Sequence, residues 1–188
     1  MRKLKLQVQI SVDGYVAGPK GELDWMTWEH SEELIKFINE LTDSSDTILL
    51  GRKMTNEFIT YWENVQPDSP EYDFAQKMVN TPKVVFSRTL DAIKGKNVTL
   101  VKGKLNEEIA KLKSQDGKDI VVYGGAEFVS SLIAGGHIDE FNFFINPVMI
   151  NQGLCVFDLL GKRQKLHTFG ARAYDCGVVV VRYELDKS

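Results

Sequence analysis

The chain has 188 residues, 43% hydrophobic and 26% charged, enough for one hydrophobic core of ordinary size and short for two. Its 23 Lys and Arg against 26 Asp and Glu leave a formal net charge of -3, so there is no general cationic field to hold nucleic acid or an anionic membrane. The longest aliphatic run, residues 178–181, falls far below the roughly 18 apolar residues of a spanning helix, and Lys5, Gln7, Gln9 and Asp13 interrupt what would have to be the apolar stretch of an export signal, so a cytoplasmic protein is expected.

Residues 4–10 alternate apolar with polar at period two and predict a strand with one face on the core. Asp13-Gly14 and the run Gly18-Pro19-Lys20-Gly21 then predict a long, turn-rich connection. Leu34, Ile35, Ile38 and Leu41 recur at helical spacing behind Ser31, a suitable N-cap, which predicts a helix over residues 31–42. A compact apolar strand over 47–50 ends at Gly51, after which Met54, Phe58 and Trp62 form one helical stripe. Ser69-Pro70 is read as the start of another helix with Phe74, Met78 and Val79 on its core face. Short strands follow over 83–87 and 98–101, then a helix capped by Asn106 that carries Ile109 and Leu112. Residues 120–123 make a further β-branched strand that halts at Gly124-Gly125. A helix with Phe128, Val129, Leu132 and Ile133 comes next and ends at Gly135-Gly136. From residue 138 the pattern becomes strands joined by turns, over 140–145, 165–171 and 177–185. Buried strands joined through helices imply parallel pairing, and the closing strands antiparallel pairing. The expectation is a single three-layer α/β/α domain over residues 1–188 with a central mixed, mostly parallel sheet.

Open α/β sheets bind ligands beyond the carboxyl ends of their strands, where helix N-termini and free backbone amides face a common space. Three segments belong at that edge. At Gly51-Arg52-Lys53 two cations at a helix entry suit a phosphate, although a turn glycine followed by two solvated basic residues reads equally simply. Tyr123-Gly124-Gly125-Ala126-Glu127 lets a phosphate approach the main chain, or forms only a tight corner. Ser87-Arg88 places a hydroxyl and a guanidinium at a third strand end. Together the three favour a nucleotide with several phosphates over three unrelated coincidences.

Other signatures fail. The Gly-Lys pairs beginning at Gly95, Gly103, Gly117 and Gly161 lack the Ser or Thr of a P-loop, and Gly14, Gly18 and Gly21 lack dinucleotide-fingerprint spacing. His30, His137 and His167 are scattered, so no metal is expected, and no G-x-S-x-G is present. Cys155 and Cys176 read as free thiols. Trp25, Trp28 and Trp62 read as core residues, the first two with the option of walling a planar substrate.

In order, the segments 10–18 with Asp24-Trp25, 49–53, 84–88, 122–127 and 145–148 resemble the dihydrofolate-reductase-like superfamily. Within it they most resemble bacterial proteins similar to the reductase domain of riboflavin biosynthesis. The resemblance covers nearly the whole chain. It implies NADPH bound in extended form: Val16 and Ala17 at the nicotinamide, Gly51, Arg52 and Lys53 at the pyrophosphate and 2'-phosphate, Ser87 and Arg88 on the adenosine side, and Gly124, Gly125, Ala126, Glu127 and Phe128 again at the pyrophosphate. Gln9, Trp25, Glu29 and His30 would border the substrate. Folate reductases carry an acid where this chain has a position near His30, with Glu29, Glu32 and Glu33 only adjacent, which argues against folate as substrate.

The expected activity is NADPH-dependent hydride transfer to a small planar substrate, similar to that of 5-amino-6-(5-phosphoribosylamino)uracil reductase and dihydrofolate reductase. The glycine-rich loop from Asp13 to Trp25 would act as a lid. The competing readings are a nucleotide-binding regulatory protein without turnover, and a dimer module resting on the apolar closing strands. No nucleic-acid or membrane partner is expected; a homodimer is.

Overall fold

Why the chain folds into alternating strands and helices is visible in what each apolar set meets in the computed structural model, which describes residues 1–186. In chain order the elements are β1 (Leu4–Ser11), α1 (Glu32–Asp43), β2 (Ser45–Gly51), α2 (Arg52–Glu63), α3 (Tyr72–Asn80), β3 (Lys83–Phe86), β4 (Val98–Val101), α4 (Leu105–Ser114), β5 (Asp119–Gly124), α5 (Ala126–Ala134), β6 (Glu140–Asn146), β7 (Leu166–Ala173) and β8 (Val179–Leu185). One eight-stranded sheet runs β4-β3-β2-β5-β1-β6-β8-β7. The first six strands of the chain are mutually parallel, β8 is antiparallel to β6, and β7 to β8.

Helices cover both faces. On one, Leu4, Leu6, Val8 and Ile10 of β1 join Leu49, Ile120, Val122, Phe141 and Phe143 beneath Ile109 of α4 and Val129, Leu132 and Ile133 of α5. On the other, Ile48, Leu50, Val85 and Val121 meet α2 and α3 through Met54, Phe58, Trp62, Phe74 and Met78. There, too, Phe144, Val178 and Val180 meet Leu34, Phe37, Ile38 and Leu41 of α1. Ser31 caps α1 as its sequence predicts, its hydroxyl accepting from the Leu34 amide at 3.4 Å.

The alternation in β1 does not mean that its polar face is solvated. Lys5 and Gln7 are buried like their apolar neighbours, because a parallel sheet is covered on both sides. They belong to a polar band across the sheet centre. Lys5 Nζ pairs with Asp119 at 2.8 Å and donates to Ser44 Oγ, while Arg182 donates to Asn142 Oδ1 and to Glu140 at 3.1 and 3.0 Å. The charges are tolerable inside because each has a partner.

Two helix starts differ from expectation. Ser69 and Pro70 lie in a turn ahead of α3, with Ser69 Oγ accepting from the Glu71 amide, so the helix begins two residues later behind Glu71. Asn106 lies inside α4, which Lys104 precedes; its Oδ1 instead accepts from His137 Nε2 at 2.8 Å. Among the described residues no helix is long and apolar enough to cross a membrane, no cluster of three or more His, Cys, Asp or Glu is placed to hold a metal, and Cys155 and Cys176 are free.

Candidate active-site crevice

Because the six parallel strands share a direction, their last residues, Ser11, Gly51, Phe86, Val101, Gly124 and Asn146, fall along one edge of the sheet. At adjacent β2 and β5 the following helices leave to opposite faces, α2 towards the side of Leu50 and Val121, α5 towards that of Leu49 and Val122. Such a reversal opens a crevice between two strand ends.

The crevice floor requires the glycines found there. A Cβ on Gly51 would stand 2.7 Å from Phe128 Cβ, and one on Gly125, at φ +86°, would stand 3.2 Å from Gly51 Cα. The two loops are therefore in main-chain contact. Gly51 and Gly125 are also the residues that precede α2 and α5, and neither helix has a side-chain cap. First-turn N–H groups of both helices are left for an anionic ligand. Arg52 and Lys53 are exposed beside them. Lys53 Nζ bridges to Glu127 at 2.8 Å across the junction and holds the Glu127 carboxyl below its ordinary range. Both partners are largely solvated, so the pair is a weak one.

One strand further out, Ser87 is buried and its Oγ accepts from the Thr89 and Leu90 amides at 3.2 and 3.1 Å, so this hydroxyl shapes its own turn. Arg88 is exposed and makes no ion pair among the described residues. Phe86 and Phe128, with ring centroids 5.3 Å apart, join the β3 end to the start of α5.

At the other end of the crevice, Asn146 organises the loop that follows β1. Fully buried, it accepts from the Thr27 amide at 2.8 Å and donates to Gln9 Oε1 at 2.8 Å and to the Phe144 carbonyl at 3.1 Å. The Asp13 carboxylate accepts from the Ile150 and Asn151 amides, and with Ser11 hydrogen-bonded to it as the main cause it stays below the usual carboxylate range. Val16 and Ala17 are tied to Leu154, the Val16 amide donating to its carbonyl and the Ala17 carbonyl accepting from its amide, at 2.9 and 2.8 Å. Gly153 allows this approach, since a Cβ there would meet the Ala17 oxygen at 2.1 Å.

Among the expected substrate-side residues, Gln9 is linked through Asn146 to Thr27. Trp25 is half-buried with its indole N–H donating to the Glu22 carbonyl at 3.1 Å. Trp28 and Glu29 are exposed, and Trp62 alone of the three tryptophans joins the core. His30 is half-buried; burial, opposed by a hydrogen bond that the ring donates to the Thr27 main chain, lowers its pKa, and its Nε2 has no hydrogen-bond partner. A neutral imidazole at neutral pH results. The structure thus brings Gly51, Arg52, Lys53 and residues 124–128 together at one junction, with Ser87-Arg88 flanking it and Val16, Ala17 and Gln9 farther along the same edge. Sequence reading assigned no side-chain role to Asn146, Asp13 or Leu154, although Asp13 and Asn146 lie in segments that carry the resemblance. Asn146 had a signal, a polar residue and a proline closing an apolar strand; the partners of Asp13 lie 137 and 138 positions away and had none.

A family model described as the RibD C-terminal domain matches residues 2–180. The chain belongs to that family. This RibD C-terminal domain protein is 33% identical over 183 residues to the uncharacterized protein YyaP of Bacillus subtilis (strain 168), covering 97% of this chain and 94% of that one. Its fold is shared with a diaminohydroxyphosphoribosylaminopyrimidine deaminase/5-amino-6-(5-phosphoribosylamino)uracil reductase from Thermotoga maritima, at TM-score 0.69 and 16% identity, over 98% of this chain and 57% of that one. It is shared too with dihydrofolate reductase from Enterococcus faecalis complexed with NADP(H), at TM-score 0.60 and 17% identity, over 98% and 97% of the two chains. The family supports a reductase-like function, and the two solved structures show the fold.

Proposed function

We propose that this RibD C-terminal domain protein is an NADPH-dependent reductase of a small planar acceptor. The observation that carries the proposal is the junction of Gly51 with Gly124-Gly125, where two uncapped helix N-termini and the Arg52 and Lys53 side chains converge on a cradle that any Cβ would fill. Such a cradle fits a pyrophosphate held by backbone amides. Arg52 and Arg88 would receive the additional 2'-phosphate, and the carbonyl-bearing strip at Val16-Ala17 would lie against the nicotinamide amide. When bound, the cofactor supplies a hydride from its nicotinamide C4, and the acceptor gains two electrons and, with a solvent proton, two hydrogens.

The chain's own residues then have to bind, align and exclude water. The loop over residues 12–31, fixed by Asn146 and Asp13, would roof the acceptor. His30, neutral and with a buried ring nitrogen unpartnered, would accept a hydrogen bond from a water. Leu166 and Phe169 are exposed on edge strand β7, which supports self-association as a homodimer; a monomeric mass by light scattering would overturn that part.

Titration with NADPH, followed by nicotinamide fluorescence, tests the proposal. Saturable binding is expected, with Arg52→Ala weaker by about ten- to a hundred-fold, the worth of one charge-assisted hydrogen bond. Absence of saturation, or full affinity in Arg52→Ala, overturns it. Saturable binding with no oxidation by any pterin, pyrimidine or aldehyde would favour instead a regulatory nucleotide-binding protein.

A further inference from the structure

The two ends of the crevice carry opposite charge. The cradle end has Arg52, Lys53 and Arg88, and of these only Lys53 has an acidic partner among the described residues. The acceptor end is rimmed by two loops. Residues 12–33 contain Asp13, Glu22, Asp24, Glu29, Glu32 and Glu33 against the single cation Lys20, and residues 147–157 contain no charged residue. The one guanidinium among the described residues that reaches this end from the sheet, Arg172 of β7, is already paired with Glu33. Asp13 is held below its ordinary range first by Ser11, and Glu22 first by its own amide and then by that of Lys20, so both remain anionic at neutral pH.

The element at this end best suited to an anion is committed as well. The α1 N-terminus has its Ser31 cap on the Leu34 amide, and Glu32 and Glu33 occupy its first turn. A phosphate placed here would lose hydration, meet like charge and find neither a free guanidinium nor an open helix start.

What the rim offers instead is apolar surface. Trp28 is 62% exposed, Met149 75% and Val12 59%. The Val12 amide donates to the Val148 carbonyl at 2.8 Å, which puts Val12 beside Met149, and Trp28 follows Thr27, which is bonded to Asn146. Apolar side chains gathered at a cleft mouth mark a contact surface. We infer that the acceptor is an uncharged or cationic, flat and largely apolar molecule, and that phosphate-bearing acceptors are rejected. This rests on the reductase reading above, and it separates the chain from a reductase named for a phosphoribosylamino substrate.

The test uses the full chain with saturating NADPH and pairs of flat compounds that differ only in a phosphate: riboflavin and flavin mononucleotide, pyridoxal and pyridoxal 5'-phosphate, uridine and uridine 5'-monophosphate. Binding is read by quenching of tryptophan emission and by thermal shift, independently of turnover. At least one unphosphorylated parent is expected to saturate, with its phosphorylated partner weaker by about ten-fold or more. Asp24→Lys combined with Glu32→Lys is expected to narrow that gap. A phosphorylated member that binds as tightly as its parent, or a panel in which no parent binds, overturns the inference. Failure of NADPH itself to bind is seen before any acceptor is added and counts against the reductase reading alone; the pairs are then compared on the free chain by the same criteria.

Discussion

Replacing Asn146 with Ala tests whether one side chain fixes the loop over the crevice. The substitution removes three hydrogen bonds from a fully buried position: those of the Thr27 amide, of Gln9 Oε1 and of the Phe144 carbonyl. Gln9 is half-exposed and can recover water, and the Phe144 carbonyl lies within a strand ladder, so the Thr27 amide and the vacated volume bear most of the loss. At about 1 kcal/mol for each bond lost, with a small cavity added, stability should fall by about 2–3 kcal/mol. For a chain of this length that is about 4–12 °C in Tm. Urea unfolding measures the first quantity, and limited proteolysis reads the local consequence, new cuts within residues 12–31. Asn146→Asp separates the two effects: it keeps an acceptor for Thr27 and so the loop, yet buries a carboxylate beside the Phe144 carbonyl and so loses stability. A loss under about 0.5 kcal/mol in Asn146→Ala, or an unaltered cleavage pattern, would refute this account.

Gly51→Ala places a methyl 2.7 Å from Phe128 Cβ, an atom fixed to the α5 backbone. Destabilisation by about 1–3 kcal/mol and at least a ten-fold loss of NADPH affinity are expected, and undisturbed binding would contradict the cradle. Lys83, 2% exposed, donates to the Met78, Val79 and Thr81 carbonyls at the end of α3, and burial lowers its pKa from 10.5 to about 8. Between these values the unfolded chain holds more protons than the native one, so the stability of the wild type relative to Lys83→Met should rise with pH across that window and be level below it. Denaturant melts at several pH values check the slope, and a falling difference would show that the ammonium is favoured inside.

The fold was legible wherever burial follows period. The stripes Leu34–Ile38–Leu41 and Met54–Phe58–Trp62, and the β-branched runs ending at Gly51 and Gly124, all became the expected elements, because helices on both faces of a parallel sheet leave little choice of which side chains face inward. The polar face of β1 misled for the same reason. Alternation normally signals water on one side, whereas Lys5 is buried against Asp119 of β5, a partner that only the tertiary arrangement supplies, and Gln7 is buried with its Oε1 unpartnered. At the crevice, Gly51, Arg52 and Gly124-Gly125 could be found as short strand-to-helix junctions. Ser87 illustrates the converse, since its position at a strand end was readable but the capture of its hydroxyl by Thr89 and Leu90 was not.

The three ties on the segment after β1 limit how the crevice can be closed. Asp13 holds its beginning to residues 150 and 151, Val16 and Ala17 hold it to Leu154, and Thr27 holds its far end to Asn146. Wholesale peeling of the segment would break every tie at once. The span free of them, residues 18–26, contains its own tight reversal, with the Gly18 amide bonded to the Glu22 carbonyl and the Gly21 amide to that of Gly18. Under the reductase reading proposed above, entry to the crevice would fall to this short preassembled span between fixed posts, and an acceptor would come and go without disturbing the glycine cradle.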